Sequence, residues 1–138
     1  MYLQRFTPRY YAAAHRASGL DLAGRLIAVI EDDFYIADDA KRALEGAGAL
    51  VLGPFAEASP ALTALRGRRC DCAVVDLNLG MGPSFELTRE ILTMRMPVVI
   101  CTGYDLDIMP PELQHVPILQ KPINVPQLLA AVSRVCID

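Results

Sequence analysis

The apolar positions of the chain fall into five short continuous runs, separated by stretches in which apolar residues recur every three or four positions. Continuous runs are typical of strands buried on both faces of a sheet, whereas half-exposed strands alternate apolar and polar residues. We therefore predict strands at residues 26–31, 50–52, 72–76, 98–101 and 117–120. The second strand is expected to end at Gly53-Pro54, because both residues are typical of turns.

Helical spacing predicts four amphipathic helices between and after these strands. The second is expected over residues 57–66 with Ser59 as its N-cap, the third over residues 85–95 with Ser84 as its N-cap, and the last after Asn124. The apolar face of the first helix consists of Ile36, Ala40, Ala43, Leu44 and Ala47. Strands that alternate with helices predict an α/β fold with a parallel sheet covered on both faces, since right-handed crossovers place helices there.

The connection between the fourth and fifth strands departs from this pattern. Only 18 residues separate Thr102 from Lys121, and three of them are prolines. Proline lacks an N–H donor and clashes with the preceding turn, so a full helix cannot persist through this stretch. We predict a short or mobile fourth crossover helix over residues 105–114, which would offer an adaptable surface to a partner.

Polar side chains follow four of the five predicted strands. Glu31 and Asp32 follow the first strand, Asp76 closes the third, Thr102 follows the fourth and Lys121 follows the fifth. The carboxyl ends of parallel strands lie at one edge of the sheet, where open α/β sheets place their chemistry. These side chains are therefore expected to converge.

Three carboxylates in one cleft, from Glu31, Asp32 and Asp76, repel one another unless a positive partner neutralises them. A hard divalent cation together with Lys121 would do so, and magnesium suits the site because it leaves positions for water and phosphate oxygens. Asp76 would then be the nucleophile that forms an acyl phosphate. The Thr102 hydroxyl would bond a phosphoryl oxygen only in the modified state and so bias one conformation.

Composition and charge narrow the class of protein further. The 138 residues are 53% hydrophobic, which fits one domain with a core of its own. The formal charge is −3, and it divides into +2 for residues 1–24 and −5 for residues 25–138, so we expect no binding of nucleic acid. No stretch predicts a membrane span or a secretory signal, and we expect a cytoplasmic protein. The four cysteines have no metal or disulfide spacing and are expected to be reduced and mostly buried.

Four short segments carry the polar residues named above: Val29-Ile30-Glu31-Asp32-Asp33, Val74-Val75-Asp76-Leu77-Asn78, Ile100-Cys101-Thr102-Gly103 and Gln120-Lys121-Pro122. In this order, over residues 25–137, they resemble the receiver domains of two-component response regulators. The resemblance implies a flavodoxin-like, doubly wound sheet of five parallel strands in the order 2-1-3-4-5. Any one of them is a weak signal, but the four together after apolar strands are specific.

The resemblance also implies roles for the converging residues. Asp76 would accept phosphate from a histidine kinase or histidine phosphotransfer protein, Thr102 would be the switch hydroxyl, and Lys121 would contact the phosphate. The Lys121-Pro122 peptide bond is often cis in this family. The magnesium ligands it implies are Asp32, Asp76, the main-chain carbonyl of Asn78 and, through a bound water, Glu31.

Thr102-Gly103-Tyr104 and the segment after Asp76 also resemble the single-domain FATGUY-type receivers, which are linked to general stress signalling and kinase networks in alphaproteobacteria. In many receivers a Tyr or Phe three residues before the lysine acts as a rotating switch, whereas Ile118 stands there in this chain. Tyr104 would either report the switch in its place or pack as a partly buried ring at the sheet edge. Asn78 would either serve a turn or influence the water that hydrolyses the phosphoryl group, and Asp33 is expected to be a surface acid at a helix start.

We divide the chain into an N-terminal extension, residues 1–24, and a receiver domain, residues 25–138. In the extension, aromatic residues alternate with arginines, so it is either an amphipathic helix that docks on the domain or on a second copy in a homodimer, or a loosely ordered tail. We expect a phosphoacceptor switch, not an enzyme acting on other substrates, which signals to an unknown downstream protein by contacts or acts as a phosphate sink. The alternatives are the receiver of a hybrid histidine kinase, an aspartyl-phosphate phosphatase and a degenerate receiver that only binds partners.

Overall fold

Five parallel strands form one sheet in the order β2-β1-β3-β4-β5. The computed structural model describes residues 21–80, 82, 84–104 and 109–136. The strands are β1 (Leu26–Ile30), β2 (Leu50–Phe55), β3 (Cys72–Asp76), β4 (Val98–Thr102) and β5 (Ile118–Gln120). The helices are α1 (Phe34–Gly46), α2 (Ala58–Gly67), α3 (Glu86–Thr93) and α4 (Val125–Val135). The predicted doubly wound, flavodoxin-like α/β fold is confirmed, including its strand order.

The connection between β4 and β5 is short, as its prolines predict. Its described part contains a single 3-10 turn, Pro111–Leu113, and the predicted segment also includes residues 105–108, which lie outside the described residues. Leu113 and Val116 nevertheless pack into the core. The crossover is therefore tied to the sheet by apolar contacts without a full helix.

The helices cover the sheet in two layers because successive strand residues point to opposite faces. On one face, Ile27 and Val29 of β1 pack with buried residues of α1 and α4. On the other, Ala28 and Ile30 pack with buried residues of α2 and α3. Every residue of β3 and β4 is buried, so the sheet is a firm base for the side chains at its carboxyl edge.

The predicted end of β2 at Gly53-Pro54 is wrong, because the strand continues to Phe55. Gly53 has φ +101°, a conformation that glycine adopts without strain, and the pairing with β1 is irregular between Ala28 and Ile30. Pairing then resumes at Phe55, whose carbonyl accepts a hydrogen bond of 2.8 Å from the Glu31 N–H. Gly53-Pro54 does interrupt the regular pairing of β2, but it forms a bulge inside this edge strand and does not end the strand.

Helix boundaries differ from the prediction where caps were assigned from residue type alone. Ser59 is not an N-cap, since α2 begins at Ala58 and Pro60 falls in its first turn, where a missing N–H costs little. Ser84 lies one residue before the N-cap Phe85 of α3, and its hydroxyl accepts from the Glu86 N–H. The predicted cap at Asn124 is confirmed by a 3.0 Å hydrogen bond from the Gln127 N–H.

Two further helix details were predicted imperfectly. Ala37, and not Ile36, is buried in the first turns of α1. Helix α3 ends at Thr93, earlier than predicted, because Arg95 has a left-handed φ of 59°. The guanidinium of Arg69 donates hydrogen bonds to the carbonyls of Met94 and Arg95. Those carbonyls are thereby satisfied without another helical turn.

Leu22 attaches the start of the described chain to the domain. Leu22 is buried against the α1 and α4 layer, and its N–H donates to the Ala47 carbonyl at 3.0 Å. Most of the predicted extension lies outside the described residues. Among the described residues, no helix has the length and apolar character needed to cross a membrane.

Candidate functional site

The ends of β1, β3 and β5 bring three of the predicted side chains into direct contact. The Lys121 Nζ lies 2.7 Å from Glu31 Oε1 and 3.2 Å from Asp76 Oδ2. All three side chains are largely buried, with 17% of Lys121, 5% of Glu31 and 4% of Asp76 exposed. One ammonium therefore bridges two carboxylates at the carboxyl edge of the sheet, as the strand-end argument predicts.

Backbone contacts fix the geometry of the acid pair that follows β1. The Glu31 N–H is held by the Phe55 carbonyl, and Glu31 Oε2 accepts from the Asp33 N–H at 3.1 Å. Asp33 Oδ1 in turn caps α1 by accepting from the Tyr35 and Ile36 N–H groups. This agrees with the prediction that Asp33 marks the helix start. Asp32 lies between these two anchored acids and is exposed.

Burial and charge perturb both ionisable partners of this contact. Burial raises the pKa of Glu31 to about 7, although its hydrogen bonds to Lys121 and to the Asp33 N–H act in the opposite direction. Burial alone would lower the pKa of Lys121, but its hydrogen bond to Glu31 and the charges of Glu31 and Asp76 outweigh this and raise it. Lys121 is therefore charged at neutral pH.

The three acids also fit a hard divalent cation. Glu31, Asp32 and Asp76 each offer a carboxylate oxygen, and these oxygens lie within 4.8 Å of one another. The Asn78 main chain borders the same site, since its N–H donates to Asp76 Oδ1 at 3.1 Å. Carboxylate and carbonyl oxygens are the ligands that magnesium prefers, so this cluster has the chemistry of a magnesium site.

Thr102 ends β4 and is 1% exposed. Its hydroxyl accepts a 3.0 Å hydrogen bond from the Tyr104 N–H, and its carbonyl accepts one of 2.8 Å from the Lys121 N–H. The hydroxyl hydrogen is thereby left to donate to another oxygen. Thr102 thus joins the β5 end, which carries the ammonium, to the loop that carries Tyr104.

The Asn78 side chain links two loops that border the site. Its Oδ1 accepts from the N–H groups of Gly80 and Gly82, at 3.0 and 3.1 Å, so the turn hypothesis describes its contacts. Both glycines have positive φ, which the turn requires. Its Nδ2 donates to the Tyr104 hydroxyl at 3.0 Å.

The Tyr104 contact was not foreseen in either interpretation of that residue. The side chain is 42% exposed and its hydroxyl bonds Asn78, which lies 26 residues away in the sequence. No local spacing signals such a contact, because it depends on how two loops meet above the sheet. Asn78 and Tyr104 therefore extend the candidate site beyond the acids, the hydroxyl and the amine.

The four cysteines, Cys70, Cys72, Cys101 and Cys136, are buried thiols, as predicted. Burial raises the pKa of Cys70 to about 11 and that of Cys101 to about 12, so these thiols are poor nucleophiles at neutral pH. Among the described residues, the candidate metal-binding group contains carboxylates only.

Fold and site together define a receiver-type domain, and comparison with known proteins agrees. The family model described as "Response regulator receiver domain" matches residues 27–133, and the chain belongs to this family. It is therefore a receiver domain of the two-component response regulator type, a class that interacts with histidine kinases or phosphotransfer proteins. The Lys121-Pro122 bond is cis, as the resemblance implies.

Solved structures of receiver domains have the same fold as this chain. A response regulator receiver protein from Sinorhizobium medicae is 25% identical, with a TM-score of 0.69 over 84% of this chain and 97% of that one. A CheY-like receiver domain from Methylobacillus flagellatus is 22% identical, with a TM-score of 0.69 over 80% and 98%. The receiver domain of the hybrid histidine kinase CckA is 22% identical, with a TM-score of 0.67 over 81% and 99%. No curated protein sequence matches the chain.

Proposed function

We propose that the chain is a phosphoacceptor switch that receives a phosphoryl group on Asp76 from a histidine kinase or a histidine phosphotransfer protein. The observation that carries this proposal is the buried contact of Asp76 with Lys121, which Glu31 shares, beside the exposed acid Asp32. A nucleophilic carboxylate, a fixed cation and further hard oxygen ligands are the components that phosphoryl transfer requires.

In the transfer, an Asp76 carboxylate oxygen attacks the phosphorus of a phosphohistidine. The new O–P bond forms as the P–N bond breaks, and the imidazole nitrogen keeps the electron pair and takes up a proton. The product is an acyl phosphate on Asp76. Lys121 donates from its ammonium to the negative oxygens of the transferred group, a contact that strengthens as charge gathers on them.

Glu31, Asp32, Asp76 and the main-chain carbonyl of Asn78 are the groups that would hold a magnesium ion. When bound, the ion supplies positive charge that neutralises the clustered carboxylates and the phosphoryl oxygens. The exposed position of Asp32 leaves that side of the site open to water and to an incoming phosphate. The grouping of three carboxylate oxygens within 4.8 Å of one another supports this assignment.

The switch would act through Thr102. Its hydroxyl accepts from the Tyr104 N–H and has a hydrogen left to donate, which a phosphoryl oxygen on Asp76 would accept. Because the Tyr104 hydroxyl accepts a hydrogen bond from Asn78, movement of Thr102 would displace both the loop after β4 and the loop after β3. This route replaces the aromatic side chain that many receivers have at the position of Ile118.

The signal would leave the domain by contacts with a downstream protein, or the chain would act as a phosphate sink for its kinase. Our subgroup hypothesis, a FATGUY-type receiver in alphaproteobacterial stress signalling, belongs to this proposal. An aspartyl-phosphate phosphatase fits less well, since such enzymes use an acid two residues after the nucleophile. Here that position is Asn78, whose amide is committed to Gly80, Gly82 and Tyr104.

The test is incubation with magnesium and acetyl phosphate, followed by intact mass measurement. We expect a single phosphoryl addition that is absent from Asp76→Asn. The matched control is Asp33→Asn, which makes the same carboxyl-to-amide change two residues from Glu31 and keeps a good N-cap for α1. Equal labelling of the Asp76→Asn variant, or no labelling of the unaltered protein at saturating donor and magnesium, would overturn the proposal.

A further inference from the structure

A groove of about 350 Å³ lies between the start of α2 and the start of α3, and Asp76 forms part of its wall. Its apolar lining consists mainly of leucines: Leu62, Leu77, Leu79 and Leu87. Leu62 and Leu79 are only partly buried, so the groove presents apolar surface that the described residues leave uncovered. Such a surface beside a functional carboxylate is a candidate docking site.

The charged residues that line the groove are all acidic. Glu57, Glu86 and Glu90 line it together with Asp76, and none of its lining residues is basic. Glu90 is paired with Arg66 at 3.1 Å. Glu57 and Glu86 are exposed and have no ion-pair partner within the described part of the chain. The groove therefore suits an occupant that is both apolar and basic.

Residues 1–20 of this chain have that chemistry. They contain three arginines and no acidic residue, a formal charge of +3, whereas the rest of the chain is acidic. Their larger apolar side chains are mostly aromatic, and such residues bury much area at little cost in side-chain entropy. The aromatic residues and arginines are Tyr2, Arg5, Phe6, Arg9, Tyr10, Tyr11 and Arg16.

The segment is long enough to reach the groove from its point of attachment. Leu22 is packed beside α1 and α4, near the amino ends of the strands, whereas the groove lies at their carboxyl ends on the other face. The aromatic residues lie in residues 2–11, so residues 12–21 form the connection, and these ten residues span up to about 33 Å when extended. That is more than twice the radius of gyration of about 13 Å expected for a domain of this size.

The structure and the charge distribution together point to an intramolecular contact: we propose that residues 2–11 dock in the acidic groove of their own domain. The aromatic side chains lie on the leucines, and the arginines pair with Glu57 and Glu86. Tethering favours this occupant, because covalent attachment to the same chain gives it an effective concentration of about a millimolar at the groove. Another exposed apolar surface, around Phe34 and Tyr35, adjoins a pocket that Lys41 also lines and so lacks this uniform charge.

The contact itself can be tested without any phosphodonor.

The experiment places a nitroxide on Thr7→Cys in the otherwise complete, isotopically labelled protein and measures backbone amide intensities. The native thiols are buried, with the pKa of Cys70 at about 11, so the label is directed to the introduced cysteine. At 0.1 M salt the amides of Leu62, Leu79 and Glu86 should lose more than half of their intensity. Ser133, on the opposite layer, should keep its intensity.

A charge-matched pair of variants tests the electrostatic part. Glu57→Gln with Glu86→Gln should restore the groove intensities, whereas Asp39→Asn with Glu45→Gln, the same charge change on α1, should not. Raising the salt to 1 M, which shortens the Debye length from about 10 Å to about 3 Å, should also restore them.

Unaffected groove amides, or broadening on another surface, would overturn the proposal. So would equal broadening in both double variants. In a mixture of nitroxide-bearing unlabelled protein and isotopically labelled protein without nitroxide, broadening of the groove would reveal a second copy as the occupant and reject the intramolecular contact. Phosphorylation of Asp76, measured separately by mass, is not affected by any of these outcomes.

Discussion

Replacing Glu31 by glutamine is expected to flatten the pH dependence of stability in the metal-free protein. Glu31 is 6% exposed, and burial raises its pKa from 4.5 to about 7 despite the ammonium of Lys121 at 2.7 Å. The substitution removes the ionisable group while an amide oxygen remains to accept from the Asp33 N–H. It therefore isolates the cost of ionising this side chain within the fold.

The magnitude follows from linkage between protonation and folding. Between pH 4.5 and about 7 the unfolded chain has released the Glu31 proton and the folded protein has kept it, so the free energy of unfolding falls as the pH rises. A pKa difference of one corresponds to about 1.4 kcal/mol, and the full fall is on the order of 3 kcal/mol. Lys121, whose pKa is raised, contributes stability throughout this range and loses it only at higher pH.

The assay is urea denaturation followed by far-ultraviolet circular dichroism, at pH 5 and pH 8 with a chelator present, because the chain has no tryptophan. The unaltered protein should lose about 2.5 kcal/mol more between the two pH values than Glu31→Gln does, because a small part of the full fall occurs below pH 5. Glu45→Gln, an exposed change of the same kind on α1, should behave like the unaltered protein. Parallel pH profiles for the unaltered protein and Glu31→Gln would refute the reasoning.

Three further substitutions test the site and the core. Lys121→Met should destabilise the metal-free protein at pH 8 by about 3 kcal/mol, because Glu31 and Asp76 lose their shared cation; a thermal midpoint within a few degrees of the unaltered protein would contradict this. Magnesium at 100 times its Kd should stabilise the protein by about 2.7 kcal/mol, measured by thermal unfolding, and Asp32→Asn should lose most of this gain. Thr88→Val should raise the free energy of unfolding in urea by about 1 kcal/mol, since the buried Thr88 hydroxyl has no hydrogen-bond partner among the described residues; a decrease would count against that assignment.

The sheet and the convergence of the chemistry could be read from the sequence because both follow from local patterns. Continuous apolar runs locate the central strands, and β3 was predicted to the residue. A parallel arrangement then requires that the side chains after each strand share one edge. The contact of Lys121 with Glu31 and Asp76 is a direct consequence of that geometry.

Features that depend on tertiary contacts were missed or misplaced. Gly53 is a residue typical of turns, yet β2 continues past it because Phe55 pairs again with β1. Ser59 is a good capping residue, but packing begins α2 at Ala58. The bond from Asn78 to Tyr104 joins loops 26 residues apart, and no periodicity encodes it.

Gly53 also makes the acid cluster sensitive to a position that has no functional group of its own. A methyl group there would lie 2.9 Å from the Val29 carbonyl oxygen and from the Phe55 nitrogen, next to the residue that holds the main chain of Glu31. A change in this edge strand would therefore displace the main chain that positions the clustered carboxylates. Inactivating lesions in this protein should accordingly be sought in the outermost ribbon of the sheet as well as among the reactive residues.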